Sequence, residues 1–428
     1  MTVERKPQQL AFLDWEFGVF FHFGIRTFYE GHRDWDMQEM PLAGFAPSAL
    51  DCNQWCATAK AAGARYAVLV CKHHDGFANW PSAYTDYSVA HTPWKDGKGD
   101  VVREFTDACR ANGLKVGLYY SPAEFGSKDQ EAKDYDEYFI RQVSELLGNY
   151  GKVDYLWFDG CGSENHRYDT ARIVATIRTL QPEILLFNMW DPDTRWVGNE
   201  SGYAHNANSN VVTSTAFSVF TEIPDQLDRP RFLPVECDFR MRLENWFFSD
   251  RDEHTVKSVA ELMGIYYYSV GRGANFLINI GPDRRGLLPD ADAQRLLEFG
   301  EEVRRRFAHP LPATFTSEGA TASCRFEEPT LVDHVVLTES LTADQPVERF
   351  TIRAYPYSYG PPVVVYEGHT IGHKAICSFP PFLTKQVEIT LEGAGSDNLE
   401  SMTTYFVGRY RGGRQTWRGF TQTPGNPF

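Results

Sequence analysis

VDYLWFDG, residues 153–160, is a short apolar run rich in aromatic side chains that stops at one carboxylate followed by a glycine. Such a run reads as a buried strand, and its end places Asp159 where a parallel strand hands over to a loop, with backbone room at Gly160. Three earlier runs also reach polar residues at their ends, in FHFG (21–24), KHHDGF (72–77) and YYSP (119–122). Polar residues gathered at the ends of successive parallel strands are the signature of a barrel whose mouth carries the chemistry.

Working outward, the pattern predicts strands at 18–23, 66–71, 115–120, 153–158, 184–187, 232–235 and 275–280. Between them, apolar residues recur at three and four over 50–62, 101–112, 131–149, 170–180, 255–270 and 290–307, which predicts helices. The alternation predicts an α/β fold, a (β/α)8-like barrel of the TIM type. The segment from Trp196 to Arg229 is polar and irregular, so the barrel is expected to be imperfect there. Beyond residue 310 the helical period vanishes and short alternating runs are broken by Gly, Pro and Asn or Asp. The expected organisation is a catalytic barrel over residues 1–310 and a small β-sandwich over 311–428, with Pro310 and Pro312 at the change.

The chain has 428 residues, of which 42 are basic and 57 acidic, for a formal charge of −15. A surface this acidic repels phosphate backbones and anionic lipid, so nucleic acid and membranes are not expected partners. No run approaches the length of a membrane span and the start lacks an apolar signal core, which predicts a soluble, cytoplasmic protein. The eight cysteines are scattered without a CxxC pair, and the histidines lack HExxH spacing, so neither a structural zinc nor a helical metal site is expected. Aromatic residues stand at 14%, with 10 Trp, which suits stacking on the apolar faces of sugar rings.

Each candidate residue has a plainer role beside the chemical one. Asp159 could cap a turn, one of the paired histidines His73 and His74 could bond the scaffold, and of Tyr119 and Tyr120 only one can face the barrel interior. The segments EFGVFFHFG, KHHDGF, GLYYSP and LWFDG, in this order, resemble the α-L-fucosidases of glycoside hydrolase family 29. AGARYAVLV, RWVGNE and SVGRGANFLINIGPDRRG extend the resemblance from residue 16 to about 310. The WVGNESG and PVECDFR segments are similar to the branch that acts on α-1,3 and α-1,4 fucosyl linkages.

The resemblance implies a retaining exo-α-L-fucosidase acting on a fucosylated oligosaccharide or glycoconjugate, without metal or organic cofactor. It implies Asp159 as nucleophile and Glu200 as acid/base, with Glu222 and Glu236 as rivals for the second role. His22, His73, His74 and Tyr119 would bond sugar hydroxyls, Trp35 and Trp246 would offer ring faces, and Glu236 would touch the aglycone. A retaining glycosidase needs one ionised and one protonated carboxyl about 5 to 5.5 Å apart. Glu200, expected among Trp190, Trp196 and Tyr203, would gain its proton by desolvation. Two departures from the family pattern, Ala123-Glu124 after GLYYSP and Asp34 before Trp35, bear on which glycan or sugar is taken, including α-1,2 or α-1,6 fucosides and α-L-galactosides. The competing readings are a silent glycan-binding barrel and a metal-dependent hydrolase built on His22, His73 and His74.

Overall fold

The computed structural model describes residues 3–29, 38–124, 135–163, 166–219, 224–342 and 346–408. Eight strands form one parallel sheet: β1 (Phe17–Phe21), β2 (Tyr66–Lys72), β3 (Lys115–Tyr120), β4 (Tyr155–Phe158), β5 (Leu185–Phe187), β6 (Arg195–Trp196), then β9 (Val235–Arg240) and β10 (Asn275–Ile280). Their order is β5-β4-β3-β2-β1-β10-β9-β6. A single parallel bridge between Phe187 and Thr194 brings β5 and the start of β6 together, so the barrel closes through its weakest seam. Between β6 and β9 the chain makes a two-stranded hairpin, β7 (Val211–Thr215) and β8 (Asp225–Phe232).

Side chains alternate along each strand. Phe20, Val68, Tyr119, Trp157, Phe187 and Leu277 fill the barrel interior. Their neighbours Phe21, Leu69, Leu118, Phe158 and Ile278 pack outward against the helices. Those helices start where the sequence supplies acceptors for the first free N–H groups. Asp51 caps α2 (Cys52–Ala62), Asp100 caps α3 (Val101–Ala111), and Asp169 caps α5 (Thr170–Leu180). Ser258 and Glu261 form a capping box on α6 (Val259–Tyr268). Helix α1 (Pro7–Trp15) precedes the first strand and lies outside the helices that the sequence pattern predicts. It inserts Phe12 and Trp15 against Tyr66 and Tyr155, adding its aromatic side chains to the interior. The remaining helices are α4 (Tyr135–Asn149) and α7 (Asp290–Phe307).

After α7, strands β11 (Thr314–Glu318), β12 (Thr321–Glu339), β13 (Arg349–Pro356), β14 (Val363–Gly368), β15 (Ala375–Glu392) and β16 (Leu399–Tyr405) form one antiparallel sheet around its own apolar cluster. The expected sandwich is thus a continuous sheet in which β12 and β15 each run 18 residues or more and shift register at bulges. It is fastened to the barrel by Ile376, whose N–H donates to the Gly271 carbonyl at 3.1 Å, and by the Tyr267 hydroxyl against His334 Nε2 at 2.7 Å. Lys374 also pairs with Glu16.

One strand differs from its expected position. The apolar run at 232–235 ends the hairpin instead, and the barrel strand begins at Val235. Its inward residues are charged, which hides it from an apolar pattern. All eight cysteines are free.

Candidate active site

A cavity of about 600 Å³ opens where the barrel strands end and is lined by His22, His73, His74, Tyr119, Asp159 and Glu200, with Trp157 and Trp246. KHHDGF spans several layers of this mouth. Lys72 is wholly buried and pairs with Glu124 at 3.0 Å, His73 and His74 face the cavity, and Asp75 holds Arg26 at 3.0 Å. Arg26 in turn lines the cavity. Tyr119 faces inward, whereas the Tyr120 hydroxyl donates to Gln142 on α4 at 2.7 Å.

Asp159 sits at the centre of converging donors. Its Oδ2 accepts from the Tyr119 hydroxyl at 2.8 Å and lies 3.5 Å from His74 Nε2, and its Oδ1 accepts from the Cys161 N–H at 2.9 Å. Ser121 donates its hydroxyl to the Ala123 carbonyl at 2.6 Å, so at 2.7 Å from His74 it accepts from Nδ1–H. Burial opposes a charge on His74, but the Asp159 carboxylate beside it holds its pKa up to about 10. Burial would likewise raise Asp159, yet the His74 charge and the three donors leave it below the usual carboxylate value. His74 is a cation and Asp159 an anion at neutral pH.

The other two histidines are neutral. Asn279 donates to the Trp246 carbonyl at 2.7 Å, so its Oδ1 accepts from His22 Nδ1–H at 2.7 Å and His22 Nε2 keeps its lone pair. Burial drives His22 down to about 3 and His73 well below its ordinary value. Among the described residues, His73, His74 and Asp159 are the one group whose ligand atoms cluster closely enough for a metal ion, and His22 is not part of it.

Glu200 arrives on the loop after β6, and that loop is pinned. Val197 N–H donates to the Glu236 carbonyl at 3.1 Å, Ser201 bridges Phe239 on β9, and the Asn199 side chain closes the turn by accepting from Ser201 N–H at 3.0 Å. Gly202, at φ 79°, lies so close to β9 that a Cβ would stand 2.6 Å from the Phe239 ring. Burial raises the Glu200 pKa; the Arg240 cation opposes this and the Asp159 charge adds to it. Gly160 is equally constrained, since a Cβ there would meet the Phe217 carbonyl oxygen at 2.3 Å.

Two expectations change. Glu236 is not an aglycone contact: it is completely buried beneath the floor, accepting from Tyr66, Tyr155 and Trp157. Trp190 does not line the Glu200 loop but packs on Phe139 and Phe158 toward the helices, while Trp196 does line the cavity. Trp35, Asp34 and Glu222 lie outside the described residues.

The structure adds Asp238, Arg240 and Asn188 to the wall. Asp238 accepts from the Trp196 indole at 2.7 Å, and burial, then the Glu200 charge, pushes its pKa far up. Glu236, Asp238 and Arg240 alternate along PVECDFR, so period-two counting from one inward residue would have found the other two. Asn188 donates to the Ala216 carbonyl at 2.7 Å and accepts from Trp196 N–H at 3.1 Å, and no sequence pattern marked it.

The α-L-fucosidase family model matches residues 36–305. An Oryza sativa subsp. japonica relative bearing an α-L-fucosidase name is 33% identical over 445 residues, covering 93% of this chain and 84% of that protein. A glycoside hydrolase 29 family member from a rumen bacterium superposes with a TM-score of 0.86 at 30% identity, over 96% of this chain and 78% of that one. A Bacteroides ovatus structure with an α-L-fucosidase name gives a TM-score of 0.85 at 34% identity, over 96% and 75%. With a family model spanning most of the barrel and these relatives extending across nearly the whole chain, the protein belongs to the α-L-fucosidase family of glycoside hydrolases.

Proposed function

We propose that the protein is a retaining exo-α-L-fucosidase acting by double displacement, with Asp159 as nucleophile and Glu200 as acid/base. The observation that carries this reading is the opposite tuning of two carboxyls on one cavity: His74, Tyr119 and the Cys161 N–H hold Asp159 below the ordinary carboxylate range, while burial raises Glu200 above it. Asp159 attacks the anomeric carbon as Glu200 donates to the departing glycosidic oxygen, which leaves a fucosyl ester on Asp159. Glu200, now ionised, takes a proton from water, whose oxygen attacks the same carbon and returns Asp159 as a carboxylate. Neutral His22 and His73 offer fixed polar partners to the sugar hydroxyls, while the Tyr119 hydroxyl is given to Asp159.

The preference for α-1,3 and α-1,4 linkages rests on the WVGNESG and PVECDFR segments. With Glu236 buried, any part that PVECDFR plays at the leaving sugar falls to Asp238 and Arg240.

The test follows the first-released anomer by proton NMR with wild type, Asp159→Asn and Glu200→Gln, on an aryl fucoside and a Lewis-type trisaccharide. The expected product is α-fucose, with Asp159→Asn inactive. Glu200→Gln should lose about 10²–10⁴-fold on the trisaccharide and far less on an activated aryl fucoside, where azide restores turnover as the α-azide. β-Fucose as first product overturns retention. Release from 2-linked fucosyl lactose at the trisaccharide's rate overturns the linkage preference.

A further inference from the structure

Beneath the cavity Glu236 stands among the apolar and aromatic side chains of the barrel interior, fully shielded from solvent. An apolar residue would fill that position without the desolvation cost of a carboxyl. Glu236 instead meets three converging donors: Trp157 Nε1 at 2.8 Å and the Tyr155 hydroxyl at 3.2 Å on Oε1, and the Tyr66 hydroxyl at 2.6 Å on Oε2.

Trp157 belongs to a stack of four rings across the cavity floor. Phe187 lies against one face at 4.0 Å and 13°, Tyr119 against the other at 5.3 Å and 25°, and His73 continues the stack on Tyr119 at 5.3 Å and 10°. Stacking sets the spacing of rings but only weakly resists their sliding and turning in plane. The indole N–H bond to Glu236 removes that freedom at Trp157, and the Tyr119 hydroxyl that bonds Asp159 sits on the next ring.

We propose that Glu236 is a positioning residue: by holding the Trp157 indole it fixes the four-ring floor, and so the aim of the Tyr119 hydroxyl at Asp159. The inference rests on Asp159 being the attacking carboxylate. Burial raises Glu236 to about 7, against the pull of its three donors, so its charge is sensitive to the loss of any one of them.

The experiment is a double-mutant cycle on the full chain with Glu236→Gln and Tyr119→Phe, reading kcat and KM for an aryl fucoside beside thermal denaturation. Glu236→Gln should lower kcat about tenfold to a hundredfold, the cost of misplacing a reacting group, with KM little changed. In the Tyr119→Phe background the same substitution should cost almost nothing further, because both act through one hydroxyl. Full kcat in Glu236→Gln, losses that multiply, or full kcat in Tyr119→Phe overturns the proposal. If Glu236→Gln does not fold, Tyr66→Phe removes one donor from outside the cavity. It should give a smaller kcat loss that again vanishes with Tyr119→Phe, and multiplying losses overturn the proposal equally. Retained turnover in Asp159→Asn would instead refute the underlying nucleophile assignment, independently of the cycle.

Discussion

Replacing His74 by Gln removes the cation that stands 3.5 Å from Asp159 Oδ2. At that separation the Coulomb attraction is about 5 kcal/mol at an effective dielectric of 20 and about 1 kcal/mol in bulk water. The Asp159 side chain is 25% exposed, toward the cavity, so the pair lies between these limits. At 1.36 kcal/mol per pH unit the Asp159 pKa should rise by about 1–3 units, since Tyr119 and Cys161 N–H keep donating to it. The acidic limb of kcat/KM reports this group in the free enzyme and should move up by that amount. The alkaline limb, set by Glu200, should stay nearly in place. The plateau narrows and its height falls.

Stability changes in the same variant with a definite sign. His74 has a raised pKa, so its contribution is complete below about 6.5 and is lost as pH climbs through about 10. Asp159 has a depressed pKa, so its contribution is present above the ordinary carboxylate range and is lost as pH falls. Urea denaturation from pH 3 to 10 should therefore show both losses in wild type and neither from this pair in His74→Gln. An acidic limb that stays where it is in wild type, with a well-folded variant, would refute the electrostatic account of Asp159.

Gly202→Ala should push the Glu200 loop off Phe239 and strain a left-handed backbone, costing about 1–3 kcal/mol by denaturation and lowering kcat more on poor leaving groups than on activated ones; equal rates on both would refute the loop's role. Lys374→Met leaves Glu16 with the Tyr266 hydroxyl as its remaining donor and should cost about 1–3 kcal/mol. Burial would raise Glu16, but Lys374 and its other partners hold it down, so wild type loses this stabilisation as pH falls and the variant loses less. Parallel pH–stability curves would contradict that. Incubation with a chelator should leave initial rates unchanged, because Ser121 and Asp159 already engage both ring nitrogens of His74. Activity lost on chelation and restored by zinc would make His73, His74 and Asp159 ligands.

The fold was largely legible because a parallel barrel strand buried on both faces is a continuous apolar run, and LWFDG, KHHDGF and GLYYSP each carry such a run to a polar end. The strands that escaped are those where that rule fails. β6 is two residues long, and β9 points Glu236, Asp238 and Arg240 inward. Asp159 could be singled out because its apolar run stops at it, whereas Glu200 was reached only through the resemblance that WVGNE carries. Their opposite tuning is expected from the sequence, but which imidazole carries the charge beside Asp159 is not legible in it: His74 is charged while His22 and His73 are neutral. That difference comes from Asp159 lying beside one imidazole and not the others, a distance between strands that no local pattern encodes. Glu236 makes the same point: its motif is readable, but whether strand tilt sets it in the cavity wall or under the floor is decided only when the barrel closes. Sequence by itself determines which chemical groups stand at the ends of which strands; the closed barrel decides which of them meet, how dry they are, and therefore which hold a charge.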